Sequence, residues 1–306
     1  MTPLQRYIAE EIATDHVDGF VSRREALRRL ALLGLGTAVA SSLIASCSGH
    51  RTHGAGPSAS QLPDASTTEN APPPGMENAV ATTPVVWPGP NGTLQGSWAA
   101  ATAPRGAMLM IHENKGLTSW VNSVVARLAG SGYSALAIDL LSEQGGSARF
   151  ADPAQATAAL GTTAPEVFIA DMRSALDELA RRTPGVKLGI VGFCMGGGLV
   201  WRLLAAGEPR LAAAVPFYGP LPDRPDFARS KQAKVLAFYG AKDDRVTATK
   251  DAAAAALNRA GMVNQIVVEP DADHAFFNDT GPRYSPTAAA DAWTKLLDFL
   301  GRSLQS

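Results

Sequence analysis

The amino-acid sequence predicts an α/β protein, a doubly wound three-layer sandwich with helices on both faces of a mainly parallel sheet. Short apolar runs alternate with stretches of helical period, and this order is typical of βαβ units. The predicted strands, all short and apolar, are Ala107–His112, Ala135–Asp139, Leu188–Phe193, Ala212–Tyr218, Val235–Tyr239 and Gln265–Glu269. The predicted helices lie near Trp120–Ala129, Val167–Arg182, Gly197–Ala206, Ala248–Ala260 and Pro286–Leu304. Ligands of such a fold bind beyond the carboxyl ends of the strands, where we expect the functional side chains.

The composition fits one large folded domain that acts on a small molecule. The chain has 306 residues, of which 46 % are hydrophobic, enough for one substantial core. Lys and Arg number 27 against 28 Asp and Glu, so no basic excess favours nucleic acid. The two cysteines, Cys47 and Cys194, lie in such different contexts that we expect no disulfide between them. We expect a monomer without a metal or other cofactor.

Residues 1–46 have the pattern of an export signal peptide. The segment from Ser22 to Arg28 resembles a twin-arginine signal, although Ala26 stands where a larger apolar residue is usual. A weakly apolar run rich in small residues follows from Leu30 to Ser46, which suits the apolar region of a signal better than a membrane span. The sequence therefore predicts an exported protein, either periplasmic or anchored outside the cytoplasm.

The end of this segment resembles a lipoprotein cleavage site. Residues 44–47 read Ile-Ala-Ser-Cys, which would make Cys47 the acylated first residue of the mature chain and attach it to the membrane. Two alternatives stay open, an uncleaved anchor helix and cleavage at a nearby small residue without lipidation. Residues 47–84, rich in Ser, Pro and Ala, are interpreted as a disordered linker, and residues 85–306 as the catalytic domain.

Residues 192–197, Gly-Phe-Cys-Met-Gly-Gly, join a predicted strand to a predicted helix. A strand that turns at once into a helix brings backbone segments too close for side chains, and flanking glycines avoid that clash. The pattern is that of a nucleophile elbow with Cys194 as the nucleophile and the Met195 N–H as an oxyanion donor. The alternative is that Cys194 is a small buried hydrophobe.

An acid and a base follow the elbow in the order that nucleophile-elbow hydrolases use. Asp243 comes just after the strand Val235–Tyr239, with its neighbour Asp244 as the second candidate. His274 lies on the loop after the strand Gln265–Glu269. We expect His274 to be the general base and Asp243 to orient its ring.

These motifs together resemble the dienelactone hydrolase family of α/β-hydrolases, which uses a cysteine nucleophile. The resemblance covers the chain from about Val85 to the C-terminus. It implies that Glu113 contacts the cysteine and takes the thiol proton when substrate arrives, and that the Asn114 N–H is the second oxyanion donor.

The chain departs from that family where the best-known members bind the substrate carboxylate with two arginines. Glu143 and Asn278 lie near those positions here, which puts a true dienelactone substrate in doubt. Arg283 could supply a cation from the same loop, with Tyr284 beside it as a further substrate contact. The alternative is that Arg283 is an ordinary surface arginine.

The resemblance implies a carboxylic ester or lactone hydrolase of the carboxymethylenebutenolidase type, which works through an acyl-thioester intermediate. A small ester or lactone would be the substrate. Two alternatives stay open, a thioesterase with the same machinery and a non-catalytic envelope protein that binds a ligand on the same fold.

Overall fold

A computed structural model describes residues 1–49 and 72–305, with the side chains of residues 47–49 left out. Most of the predicted linker and the Cys47 side chain therefore lie outside the described residues. Within the described ranges, no helix has both the length and the apolar character that a membrane span requires.

The sheet has eight strands in the order β1-β2-β4-β3-β5-β6-β7-β8, and β3 to β8 run parallel. The strands are β1 Thr83–Gly89, β2 Gly92–Ala99, β3 Ala107–Ile111, β4 Ser134–Ile138, β5 Leu188–Phe193, β6 Leu211–Phe217, β7 Lys234–Gly240 and β8 Asn264–Glu269. The first two form an antiparallel hairpin at one edge that the sequence did not predict. The predicted mainly parallel α/β fold is confirmed, and all six predicted strands are present.

Ten α-helices occur in the described part of the chain. They are α1 Pro3–Val17, α2 Arg23–Leu32, α3 Thr37–Gly49, α4 Ser119–Gly130, α5 Pro153–Thr162, α6 Pro165–Arg182, α7 Met195–Ala205, α8 Asp244–Thr247, α9 Lys250–Arg259 and α10 Pro286–Leu304. The chain crosses the sheet in opposite directions after β3 and after β4, so right-handed crossovers place α4 and α6 on opposite faces. The strand order thus reverses beside β3 and β5, and their carboxyl ends form the crevice where such folds bind ligands.

The first 49 residues fold as three helices that pack on one another and on the sheet domain. The helix α1 begins with a capping box, in which Thr2 and Gln5 bond each other's backbone N–H groups. Its apolar face, which includes Leu4, Ile8 and Ile12, is buried. The sequence analysis gave this segment no part in the folded domain, whereas here it contributes to the same core.

The folded sheet domain also begins earlier than residue 85. The Pro74 carbonyl accepts a hydrogen bond of 3.2 Å from the Arg127 guanidinium, which is fully buried. Gly75 lies so close to Trp293 that a Cβ at this position would be 2.6 Å from the indole ring. Residues 74–75 are therefore packed against α4 and α10 rather than part of a linker.

Candidate active site

The turn between β5 and α7 places Cys194 at the carboxyl edge of the sheet. Its backbone has φ 55° and ψ −118°, a conformation that a non-glycine residue adopts only under constraint. A Cβ on Gly192 would lie 2.3 Å from the Gly196 carbonyl oxygen, and a Cβ on Gly196 would lie 2.4 Å from the Ile111 carbonyl oxygen. Glycine is therefore required on both sides of Cys194, as the elbow pattern predicts.

His274 and Asp243 lie beside the cysteine on the loops after β8 and β7. His274 Nδ1 is 2.6 Å from Asp243 Oδ2, and the other oxygen of Asp243 accepts a hydrogen bond from the Val246 N–H. A ring nitrogen of His274 and Cys194 Sγ belong to a group of ligand atoms that all lie within 4.8 Å of one another. The three side chains are buried. The arrangement provides a thiol, an imidazole beside it, and a carboxylate that fixes the ring.

The two backbone groups expected to bind an oxyanion follow adjacent strands. Met195 is the first residue of α7, so its N–H has no acceptor within the helix. Asn114 comes three residues after β3, which pairs with β5 through Ile111 and Gly192. Both residues therefore lie at the end of the sheet where Cys194 is placed.

Glu113 is buried after β3, but its hydrogen bonds do not go to the cysteine. Asn278 Nδ2 donates to its Oε2 at 2.8 Å, and the Tyr218 hydroxyl donates to its Oε1 at 3.4 Å. Burial raises the pKa of Glu113 above its usual value, against the opposing effect of Asn278. The contact between Glu113 and Cys194 that the resemblance implied is thus replaced here by two neutral donors.

A different carboxylate, from the N-terminal helix, contacts the sulfur. The two carboxylate oxygens of Glu11 lie 3.4 and 3.3 Å from Cys194 Sγ, and one of them is 3.5 Å from His274 Nε2. The Tyr7 hydroxyl lies 3.3 Å from both Cys194 Sγ and His274 Nε2. Sequence reasoning missed both residues. The capping box and the Leu4, Ile8 and Ile12 stripe predict a helix here, but nothing local to the segment shows where that helix docks.

The charges around Cys194 favour the neutral thiol. Burial raises the pKa of Cys194 to about 11, and the negative charge of Glu11 contributes in the same direction. Burial alone would lower the pKa of His274, but Asp243 and Glu11 hold it well above the usual value. Burial would likewise raise the pKa of Glu11, but His274 and Arg245 keep it below its usual value. While Glu11 lies beside the sulfur, its charge therefore opposes loss of the Cys194 proton and favours the protonated form of His274.

Arg283 forms ion pairs with acidic residues of α1 and the turn after it, and is not an unpaired surface arginine. Its guanidinium lies 2.8 Å from Asp15 Oδ1 and 2.7 Å from Asp18 Oδ2, and it stacks over the Phe20 ring at 4.5 Å. Tyr284, the other candidate substrate contact, is partly buried against the core, and burial raises its pKa. Among the described contacts, no hydrogen bond joins Tyr284 to Cys194 or His274.

Two cavities flank the site. One, of about 350 Å³, is lined by Tyr7, Met195, Leu221 and Val246. The other, of about 530 Å³, is lined by Glu11, Arg245, His274 and Arg283. The lining of neither includes Cys194. Cys194 itself is buried.

Glu11, Cys194 and His274 are also a possible metal-binding group. They are donors of the kind that Zn²⁺ binds, and their ligand atoms lie within 4.8 Å of one another. The sequence analysis expected no metal, and Cys194 and His274 are accounted for by thiol chemistry.

The fold and this arrangement of thiol, imidazole and carboxylate place the chain among the α/β-hydrolases. The model of the "Dienelactone hydrolase family" matches residues 94–304. The chain belongs to that family, and so to the hydrolases that act on ester and lactone bonds.

Relatives and solved structures agree with this assignment. The chain is 33 % identical over 213 residues to a putative carboxymethylenebutenolidase of Methylorubrum extorquens, covering 65 % of this chain and 73 % of the relative. It is 32 % identical over 208 residues to the Escherichia coli K12 protein of the same description, covering 64 % and 76 %. The crystal structure of a putative dienelactone hydrolase from Klebsiella pneumoniae superposes with a TM-score of 0.64 at 29 % identity, covering 73 % of this chain and all of that one.

A metagenomic protein is similar as well. The structure described as the dienelactone hydrolase-like promiscuous phosphotriesterase P91 has a TM-score of 0.61 at 26 % identity, covering 74 % of this chain and all of that one. The family model matches the sheet domain from within β2 onward, and it starts well after α1 to α3.

Proposed function

We propose that this protein hydrolyses small carboxylic esters or lactones through an acyl-thioester on Cys194, with His274 as base and Asp243 as its orienting carboxylate. The observation that carries the proposal is the 2.6 Å contact between His274 Nδ1 and Asp243, beside a cysteine held on a positive-φ turn. That contact leaves Nε2 as the nitrogen that exchanges protons with sulfur and water.

In the first half of the reaction, His274 takes the thiol proton and the Cys194 sulfur attacks the ester carbonyl carbon. The N–H groups of Met195 and Asn114 stabilise the oxyanion. The C–O bond to the alcohol then breaks, the alcohol takes the proton from His274, and a thioester is left on the enzyme. The resemblance implies Glu113 as an alternative acceptor of that thiol proton, for which its carboxylate would first have to exchange Asn278 and Tyr218 for Cys194.

In the second half, water replaces the alcohol. His274 takes a proton from the water, the hydroxyl adds to the thioester carbonyl, and the C–S bond breaks to return the thiol and the carboxylic acid. Esters and lactones are favoured over amides because thiolate leaves a tetrahedral intermediate much more readily than an amine does.

The substrate is proposed to be an ester or lactone other than a true dienelactone. Asn278, which lies near one of the arginine positions of the family, hydrogen-bonds Glu113 and carries no charge. The candidate cation from the same loop, Arg283, is paired with Asp15 and Asp18. A thioesterase would use the same machinery with a different acyl donor.

We also propose that residues 1–46 direct export and that Cys47 is the lipidated residue of an exported form. Ser22 caps α2, and Arg23 and Arg24 are exposed, so an export receptor can reach the pair. Fractionation of cells that make the chain, compared with an Arg23→Lys, Arg24→Lys variant, tests export. Retention of the parent in the cytoplasm would contradict it.

The hydrolase proposal is tested with the full chain, into which a site-specific protease sequence is inserted between residues 50 and 71. Short aryl esters and unsaturated lactones are assayed before and after cleavage, beside the Cys194→Ser and His274→Ala variants. We expect turnover that both variants lose, with acyl-enzyme trapped on Cys194 when the reaction is quenched in acid. A folded and reduced protein that has been cleaved and freed of its N-terminal fragment, and that hydrolyses none of these substrates, would favour a ligand-binding protein.

A further inference from the structure

The nucleophile of this protein is covered by its own N-terminal helix. Cys194 is only 2 % exposed and His274 only 4 %. The groups against Cys194 Sγ, at 3.3 to 3.4 Å, are the Tyr7 hydroxyl and the Glu11 carboxylate, both from α1.

We propose that α1 is an intramolecular plug, which occupies the position of the reacting ester and keeps the hydrolase inactive until the helix leaves. The inference rests on the proposed function for its consequence, since it concerns access to the thiol that performs the reaction. It does not require the substrate to be known.

The first argument is steric. A carbonyl carbon must come within about 3–3.5 Å of the sulfur to react. Tyr7 and Glu11 already occupy that distance, and the Tyr7 hydroxyl also lies 3.3 Å from the histidine nitrogen that must exchange protons. Neither flanking cavity is lined by Cys194, so a substrate bound in either has no line of attack while α1 is in place.

The second argument is electrostatic. A carboxylate at 3.3 Å from the sulfur repels the developing thiolate, and the same carboxylate, 3.5 Å from His274 Nε2, stabilises the protonated ring. A protonated imidazole cannot accept the thiol proton. Glu11 therefore opposes both protonation changes that the first step requires.

The third argument is charge complementarity between α1 and the surface of the sheet domain that it covers. Arg245 lies 3.9 Å from Glu11 Oε2 and 4.5 Å above the Tyr7 ring, and Arg283 pairs with Asp15 and Asp18. Two cations of the sheet domain thus meet acidic side chains of one helix and the turn after it. Such pairing is expected of a built interface between a domain and a segment that binds it.

The fourth argument is close apolar contact on a neighbouring face of α1. Gly161, at the end of α5, presents no side chain toward Ile8 and Leu33, and a Cβ there would lie 3.2 Å from Ile8 Cδ1 and 2.6 Å from Leu33 Cδ2. Ile8 is completely buried. The helix therefore packs against the sheet domain with close shape complementarity.

The position of the plug in the chain supplies a means of release. All of α1 and α2 precede Cys47, so cleavage before that residue would separate the plug from the catalytic domain. An enzyme made in this form would be inactive where it is synthesised and would become active after the segment is removed.

The test measures access to Cys194 directly, in the full chain with Cys47→Ser so that Cys194 is the one thiol. The rate of alkylation by iodoacetamide is compared between this parent and Ile8→Asp, which puts a charge into the buried face of α1. The matched control is Val39→Asp on α3, where the parent side chain is 46 % exposed. Hydrolysis of a short aryl ester is measured on the same proteins.

We expect Ile8→Asp to raise the alkylation rate and kcat/KM at least roughly tenfold, with the control within about twofold of the parent. A peptide of residues 1–18, added to the protein cleaved between residues 50 and 71, should lower both rates again. The cleaved protein also provides an open form should Ile8→Asp fold poorly, as judged by its melting curve.

Three results are distinguishable. Unchanged alkylation after cleavage and fragment removal would overturn the plug. Faster alkylation with slower or unchanged hydrolysis would also overturn it, because α1 would then supply groups to catalysis. Faster alkylation with no hydrolysis by any form would support the covering of Cys194 and would refute the proposed function instead.

Discussion

The carboxyl edge of the sheet and the helix that covers it are held in place by different forces. At the edge, Cys194 is fixed by backbone contacts at Gly192 and Gly196 and by packed aromatic rings, with Phe193 stacked on Phe217 at 4.7 Å. The helix α1 is held by a small apolar face and by charge pairs with Arg245 and Arg283.

The difference has a functional meaning. Removing a packed strand end would unfold the domain, because close-packed cores do not give way locally. A helix held by ion pairs and a few apolar side chains can detach while the sheet stays intact. On our two proposals, the reacting groups lie in the rigid region and the helix that controls access to them is the separable one, and substitutions in each region test this division.

The largest effect is expected at the rigid edge, from Cys194→Ser. The serine hydroxyl is a far weaker nucleophile in a site built for a thiol, so kcat/KM should fall by roughly 10³-fold or more. Steady-state hydrolysis of an aryl ester by the cleaved protein measures this. Activity close to the parent would remove Cys194 from the mechanism.

Asp243→Asn should follow, with kcat lower by roughly 10³-fold, because the amide no longer fixes the ring through Nδ1–H. The matched control is Asp244→Asn, whose carboxylate begins α8 rather than contacting His274, and its kcat should stay within about threefold. Equal losses in both variants would mean that the effect is on folding and not on the histidine.

In the covering helix α1, Glu11→Gln should change the pH dependence of Cys194 alkylation in the full chain. Six titratable groups among the described residues interact electrostatically with the sulfur, namely Tyr7, Glu11, Glu113, Tyr218, His274 and Arg245. The thiol stays protonated below its pKa of about 11, so the alkylation rate should rise with pH toward that value.

Without the negative charge at residue 11, the thiolate is less disfavoured, and the pH profile should shift to lower pH. The alkylation rate of the Cys47→Ser background as a function of pH measures the shift, with Glu10→Gln as a neighbouring control. An unshifted profile would show that burial alone, and not Glu11, keeps the thiol protonated.

The smallest effect is expected from loosening one charge pair. Arg283→Glu places a negative charge beside Asp15 and Asp18 and so weakens the binding of α1 to the sheet domain. Alkylation of Cys194 should become roughly fivefold faster. Adding Asp15→Arg and Asp18→Arg should restore the slow rate. Failure of the swap to restore it would mean that Arg283 holds something other than this helix.

Much of the rigid region could be predicted from sequence, for a local reason. The buried parallel strands are continuous apolar runs, and the glycines around Cys194 are required by the turn itself. The hairpin of β1 and β2 was missed because Pro84, Pro88 and several glycines interrupt its pattern. The helix α5 was missed because its alanine-rich sequence has no strong apolar stripe.

The covering helix could not be placed from sequence because its partners are remote. Glu11 and Cys194 are 183 positions apart, and no periodicity within residues 1–18 refers to the sheet. The family resemblance implied that Glu113 is the carboxylate in contact with Cys194. That resemblance covers the sheet domain alone and says nothing of α1. The three-dimensional contacts then place Glu11 at the sulfur and give Glu113 to Asn278 and Tyr218.

The packing of residues 74–75 determines where a shortened protein should start. A chain begun at residue 85 would lack the Pro74 carbonyl and leave one donor of the buried Arg127 without that acceptor, at a cost of about 1–3 kcal/mol. It would also expose the face of Trp293 that Gly75 covers, and exposed aromatic surface promotes aggregation. Crystallisation and screening of the free enzyme are therefore best served by a first residue ahead of Pro73.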